Sequence, residues 1–358
     1  MKSSKANGCC PAPTVERLNT PLQSGRRRFI VAACGVGAAA TVPAWSTLAG
    51  AAEQAHDFII GPPVPDRAPI QLSARVWMIQ APDGFPTIEN RGLMANVVFA
   101  IGPKGVVVID SGCSLQIGEM ALRMIRRLTP QPVVAVFNSH YHGDHWLGNH
   151  AFAKAFGSSL PIFSLAHTQQ MIQGHAGTLW KGLMERWTNQ STLGTEVVAP
   201  NRVVEHGQIL QLGGLTFKMH HYGTAHTPSD LSVQVVEEGL TCVGDVAMGN
   251  RIANMDDGSF PGTLAYYGRL EEAAAAQLWV PGHGQAARDL LQRYGSFLRG
   301  IWENAMAAVK AQASEAQARA RVLADPRVAS RAATMQGFAN NIGKYVSLAY
   351  LEAEKEAF

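Results

Sequence analysis

The chain has 358 residues, 47% of them apolar and 16% charged, which excludes a disordered or low-complexity polymer and leaves ample material for a core. Its formal charge of +3 sits at the N-terminus: residues 1–51 hold six basic side chains and one acidic, leaving 24 basic and 26 acidic residues beyond them. That near balance, a net −2, excludes a broad basic surface for nucleic acid, and the length allows one large domain with an appendage or two domains.

In chain order, Arg26-Arg27-Arg28-Phe29-Ile30 opens a weakly polar run to Leu48, broken by Gly35, Gly37 and Pro43 and followed by Ala49-Gly50-Ala51. The arginines resemble a bacterial twin-arginine export signal, with Gly25 where Ser or Thr is usual. The run is only marginally long enough for a membrane span and is rich in Gly and Ala, so residues 1–51 are expected to be a cleaved signal peptide. A periplasmic protein without stable membrane insertion follows from that expectation. Cys9, Cys10 and Cys34 leave with the leader, and Cys113 and Cys242 are expected as two buried free thiols.

Residues 52–69 are Pro-rich and predict an extended arm. Strand character marks 74–79, 95–101 and 106–109, the last two joined by the turn Gly102-Pro103-Lys104-Gly105. Apolar positions at helical spacing predict a helix over 115–128, ended by Pro130. The continuous apolar run Val133–Phe137 predicts a strand buried on both faces. Helices are expected over about 147–156 and 167–187, with a strand at 161–165 between them. Short strands follow at 203–204, 208–212, 215–219, 231–236 and 240–243, then a helix near 264–276 and a strand at 277–280. From 285 onwards the Ala-, Glu-, Arg- and Leu-rich chain predicts two or three helices, broken near Asp325-Pro326. Packing or homodimer formation is their expected role.

Chemistry concentrates in loops that each follow a predicted strand. They are Asp110-Ser111-Gly112, His140-Tyr141-His142-Gly143-Asp144-His145, His226-Thr227-Pro228, Gly244-Asp245 and Gly282-His283. Neutral imidazole and carboxylate are the natural donors for zinc and similar ions, and buried without an ion they are costly to desolvate. Strand ends are where α/β sheets gather ligand sites, so one shared site is expected. His150, His167, His175 and His206 lack clustered partners and are expected to be structural or exposed; His220 and His221 fall outside the His-Thr-Pro context. Trp146, Trp180, Trp187, Tyr266 and Tyr267 fit either a core or a pocket wall.

The ordered set of loops resembles the metallo-β-lactamase-fold hydrolases, over about residues 70–295. The resemblance implies a four-layer αββα sandwich over that span, with C-terminal helices at 296–358. It implies that His140, His142 and His226 hold one ion and Asp144, His145 and His283 a second, with Asp245 bridging both. Asp110 corresponds to an aspartate that orients ligands from behind. Two zinc ions, with iron as the other metal in view, would supply a bridging hydroxide for attack on an ester-, thioester- or lactam-like small molecule, with Asp144 holding the nucleophile in line. A narrower similarity, to exported members associated with quinoprotein dehydrogenases and sulfur oxidation, rests on the leader, Asp110-Ser111-Gly112-Cys113 and the helical tail. It implies association with a quinoprotein dehydrogenase. Two other readings stay open, a mononuclear iron persulfide dioxygenase-like enzyme and a noncatalytic periplasmic accessory protein of such a dehydrogenase system.

Overall fold

A computed structural model describes residues 60–357 of the chain; the twin-arginine leader and its cysteines lie outside the described residues. From Ile60 the chain runs extended to β1 (Ile70–Gln71), tied down by Gly61 N–H to the Leu193 carbonyl at 2.9 Å and by Arg123 to Asp66 at 2.7 Å. The strands β2 (Val76–Ile79), β3 (Val97–Gly102) and β4 (Gly105–Ile109) form antiparallel neighbours, with the predicted turn between the last two. Helix α1 (Leu115–Leu128) begins where Ser114 accepts a hydrogen bond from Ile117 N–H, and it leads to β5 (Val133–Phe137).

The chain then makes a single helical turn, α2 (Gly143–Trp146), before α3 (Asn149–Phe156) and β6 (Ile162–Ser164). The helix expected over 167–187 is two, α4 (Ala166–Gln173) and α5 (His175–Trp187), because Gly174 leaves helical geometry at φ −94°, ψ −137°. β7 (Arg202–Val203) completes a seven-stranded sheet in simple sequence order. A second sheet has the order β12-β11-β10-β9-β8, from β8 (Ile209–Leu212), β9 (Leu215–His220), β10 (Ser232–Val235), β11 (Leu240–Gly244) and β12 (Leu278–Pro281).

Between β11 and β12 lies α6 (Phe260–Ala274), which starts earlier than its apolar spacing suggests. Ser259 caps it, accepting from Gly262 N–H, and Pro261 occupies the first turn, where its missing N–H costs nothing. The tail forms four helices where two or three are expected: α7 (Leu290–Lys310), α8 (Glu315–Ala324), the short α9 (Pro326–Ala329) and α10 (Phe338–Ala357). Asp325 accounts for the extra one, ending α8 in extended geometry and capping α9 through Arg327 N–H.

Three apolar clusters define four layers. Between the sheets, Val98, Val107 and Phe137 meet Phe217, Val233 and Val280. Outside the first sheet, Phe99, Val108 and Val136 pack under α1 and α3; outside the second, Val243 and Trp279 pack under α6, α7 and α10. This αββα sandwich explains the apolar runs at β4, β5 and β11, whose residues are covered on both faces. Phe137 is fully buried, with ring centroids 5.1 Å from Phe163 and 5.7 Å from Phe217. Phe137→Ala is therefore expected to cost about 3–5 kcal/mol of stability, read from the denaturant midpoint at unchanged slope.

The topology decides where chemistry can occur. β4 and β5 are parallel with Ile109 opposite Phe137, and β11 and β12 are parallel with Gly244 opposite Pro281. Asp110, the His140 loop, Asp245 and His283 all follow directly from these strand ends.

Candidate metal centre

The His140 loop changes backbone geometry part-way along. His142 is extended at φ −73°, ψ 137°, and α2 starts at the next residue. His140 and His142 consequently meet His226, from the β9–β10 connection, while Asp144 and His145 turn towards His283. The rings of His140, His142 and His226 lie 4.7–4.9 Å apart, nearly perpendicular in every pair. Two groups of donor atoms, His140/His142/His226 and Asp144/His145/His283, each lie within 4.8 Å of one another, and a third, His140/His145/Asp245, spans the two.

Asp245 stands between them. Its Oδ2 is 3.3 Å from His283 Nε2, 3.6 Å from His226 Nε2 and 3.9 Å from His140 Nε2, while Oδ1 is 3.4 Å from His145 Nε2. Within the groups, Asp144 Oδ2 is 3.2 Å from His283 Nε2 and 3.4 Å from His145 Nε2, and His226 Nε2 is 3.0 Å from His142 Nδ1. Donors placed tetrahedrally about 2.0–2.1 Å from an ion are roughly 3.3–3.4 Å apart, so these separations fit one ion per group.

The protein leaves the donor atoms themselves uncommitted. Among the described residues, His140 Nε2, His145 Nε2, His283 Nε2 and Asp245 Oδ1 are buried without a hydrogen-bond partner. Their opposite ring nitrogens are spoken for. Asp110 Oδ2 accepts from Ser139 Oγ at 2.8 Å, so that hydroxyl is left to accept from His140 Nδ1 at 3.0 Å. The same Asp110 oxygen meets His145 Nδ1 at 2.8 Å, and His283 Nδ1 donates to the Met94 carbonyl at 2.6 Å. Three imidazoles are thereby held with Nε2 directed inward. His226 Nδ1 also lacks a partner, and no contact explains it.

Charge follows the same plan. Burial and the neighbouring imidazoles push His140 well below the usual histidine range, and burial lowers His142 and takes His226 to about 3. Burial would lower His145 too, but Asp245, Asp144 and Asp110 hold it well above. Burial would raise the Asp144 and Asp245 carboxyls, yet His145 and His283 keep both well below the usual carboxylate range. Carboxylate charge dense enough to favour a proton on His145 equally favours a divalent cation.

Asp110 reaches both groups because β4 ends in a turn. It adopts φ 58°, which Asp tolerates better than most residues, and its Oδ1 also accepts from Ser139 N–H at 2.8 Å. Asp110→Asn keeps the shape but cannot accept as a charged partner from both sides, so metal affinity is expected to fall about 10–100-fold. Competition with a fluorescent chelator measures this directly. Gly244, at φ +55°, fits against Ser139, whose Cβ would stand 2.8 Å from an added methyl.

A profile described as the metallo-beta-lactamase superfamily matches residues 90–302. The chain belongs to the metallo-beta-lactamase superfamily. Its convergent His/Asp site is that of a metal-dependent hydrolase. Similar solved structures include a metallo-beta-lactamase from Pontibacter korlensis, with 19% identity and TM-score 0.51, over 64% of this chain and 98% of that one. The FIM-1 metallo-beta-lactamase from Pseudomonas aeruginosa, solved in a mono-zinc form, has 16% identity and TM-score 0.51, over 66% and 97%. The inverting sec-alkylsulfatase Pisa1 from Pseudomonas sp. has 16% identity and TM-score 0.63, over 79% of this chain and 50% of that one. At such identities the likeness is one of fold.

Residues outside the expected set complete the site of this superfamily member. Asn96, on the approach to β3, donates to the carbonyls of Pro281 and Gly284, each at 2.9 Å, and its N–H meets Gly282 O at 2.7 Å. It ties the first sheet to the His283 turn; an asparagine before a strand carries no sequence signal for that. Arg251 lines a cavity of about 250 Å³ over the donor groups, together with Trp180 and Trp187. It is buried, its guanidinium carbon lies 4.6 Å over the Phe85 ring, and no carboxylate pairs with it among the described residues. Trp146, Tyr266 and Tyr267 are core. His220 is buried against Gln234 and Tyr222, and neither it nor His221 reaches the cavity. Cys113 and Cys242 are free and buried, as expected.

The helical tail supplies part of the same cavity. Gln336 bridges the Arg251 loop, accepting from Ile252 N–H at 3.1 Å and donating to Asn250 O at 2.8 Å. Glu352 of α10 accepts from Ser259 Oγ at 2.6 Å and Phe260 N–H at 2.9 Å, at the start of α6. Tail and Asp245 loop are one packed unit.

Proposed function

We propose that this chain is an exported hydrolase holding two zinc ions, acting on an ester-, thioester- or lactam-like bond in a small molecule. The observation that carries the reading is Asp245, whose two oxygens lie 3.3–3.9 Å from imidazole nitrogens of both donor groups. His140, His142 and His226 would hold one ion, and Asp144, His145 and His283 the other, with Asp245 shared. Bound there, the ions lower the pKa of a water towards neutrality and polarise the substrate oxygen.

The protein's own contribution is orientation and charge. Asp110 and Ser139 fix the tautomers of His140 and His145, so that neither ring must rotate before reaction. Asp144 lines the cavity, where its carboxylate would hold an attacking water in line as well as holding the ion. Arg251 lines the cavity and provides a fixed positive charge against negative charge developing on the substrate. Trp180 and Met184 limit water on the opposite wall.

Metal analysis of the purified mature protein tests the reading. Two equivalents of zinc per chain, with turnover abolished by a chelator and restored by zinc, are expected. Traces of metal, with activity indifferent to chelation, would sink it, and one iron with oxygen consumption would point to persulfide oxidation instead. Export by the twin-arginine route, through Arg26-Arg27-Arg28, belongs to the same proposal. N-terminal sequencing of the periplasmic protein should begin near Ala52.

A further inference from the structure

The cavity over the donor groups has walls that hydrolysis itself does not require. On one side stand Trp180, Met184 and Trp187 of α5, with the two indoles edge to face at 6.2 Å. On the other, α10 presents Asn341, Lys344, Tyr345 and Leu348, the i, i+3, i+4, i+7 spacing that places four side chains on one helical stripe. Lys344 is neutralised by Asp256 at 2.7 Å, and Tyr345 and Leu348 are the stripe's apolar part. At the mouth, Phe85 and Trp187 are 48% and 42% exposed. Aromatic side chains left in water around one cavity, from segments far apart in sequence, mark a surface kept apolar for a ligand. α10 lies beyond the 90–302 span of the family match.

We propose that this cleft holds the apolar acyl or aryl portion of the substrate between the Trp180/Trp187 pair and the Tyr345/Leu348 stripe of α10, so that the C-terminal helix selects substrate size. The inference rests on the hydrolase reading of the site below the cleft. The substrate class it names is a hydrophobic ester or thioester of medium acyl length, in preference to a small polar one. Such a chain leaves water as it enters, and each buried methylene favours binding severalfold.

The test uses the zinc-loaded full chain and 4-nitrophenyl esters from acetate to octanoate. In the wild type, kcat/KM is expected to rise about threefold per methylene until the cleft is filled. Leu348→Gln should lower the octanoyl-to-acetyl ratio of kcat/KM at least about tenfold, and Trp187→Ala should lower it in the same direction. Calorimetry gives a readout separate from turnover: octanoate should bind at least about tenfold tighter than acetate, and Leu348→Gln should remove most of that difference. A flat ester series together with equal binding of the two carboxylates overturns the proposal, as does a Leu348→Gln variant in which both esters slow by one factor. Tight octanoate binding without turnover of any ester would leave the cleft standing and overturn the hydrolase reading instead.

Discussion

Gly282→Ala is expected to weaken metal binding and cut activity at least about a hundredfold while every donor side chain keeps its identity. A methyl group on Gly282 would overlap Asp245 Oδ1 and stand 2.7 Å from His145 Cε1. The backbone cannot yield, because Gly282 N–H donates to Gly244 O and its own carbonyl accepts from Asn96 N–H, both at 2.7 Å. The methyl must displace the carboxylate shared by the two groups, and a misplacement of about 1 Å in a preorganised site costs on the order of a hundredfold. Activity is expected to drop at least that far, with metal below two equivalents per chain and an unaltered far-ultraviolet circular dichroism spectrum. A variant that kept two equivalents and a tenth of wild-type turnover would show that the shared carboxylate is not where catalysis depends on it.

Asp245→Ala removes that carboxylate outright. Outer residues such as Asp110 are worth about 10–100-fold, and a shared donor is expected to be worth more, at least about a thousandfold in kcat/KM. With two ions held as proposed, occupancy should fall to one at most, since the Asp245 oxygens lie within 4 Å of nitrogens from both groups. Metal analysis and kinetics on one preparation check both numbers together. A role in a quinoprotein dehydrogenase system that survived Asp245→Ala intact would favour the accessory-protein reading, in which the site serves no reaction.

The sequence carries much of this site because the site is built from local rules. The His140–His145 stretch, Gly244-Asp245 and Gly282-His283 each lie at the end of a strand of mainly apolar residues, so the strand ends could be located from the sequence pattern. Asp110 was legible for the same reason. What stayed hidden depends on contacts between segments far apart. Asn96 acts on a turn 185 residues later, Arg251 acquires meaning only from the cavity it borders, and Gln336 and Glu352 belong to a tail whose helical spacing describes burial and not its partner. The break at Gly174 and the early start of α6 at Phe260 were obscured by glycine and proline, which mark loops and helix ends alike.

The clasp of Gln336 and Glu352 on the Asp245 loop bears on how the enzyme is made. A ribosome that has released His283 has already emitted all seven donors, yet the residues that seat the loop between β11 and α6 are still to be translated. Until α10 docks, Val243 and Trp279 on the outer face of the second sheet lack part of their cover, and the loop carrying Asp245 lacks its bridge to Gln336. A chain truncated after residue 302 would keep every donor and lose the contacts of Gln336 and Glu352 with the Asp245 loop, and metal titration of that truncated chain against the full one would measure what the clasp contributes.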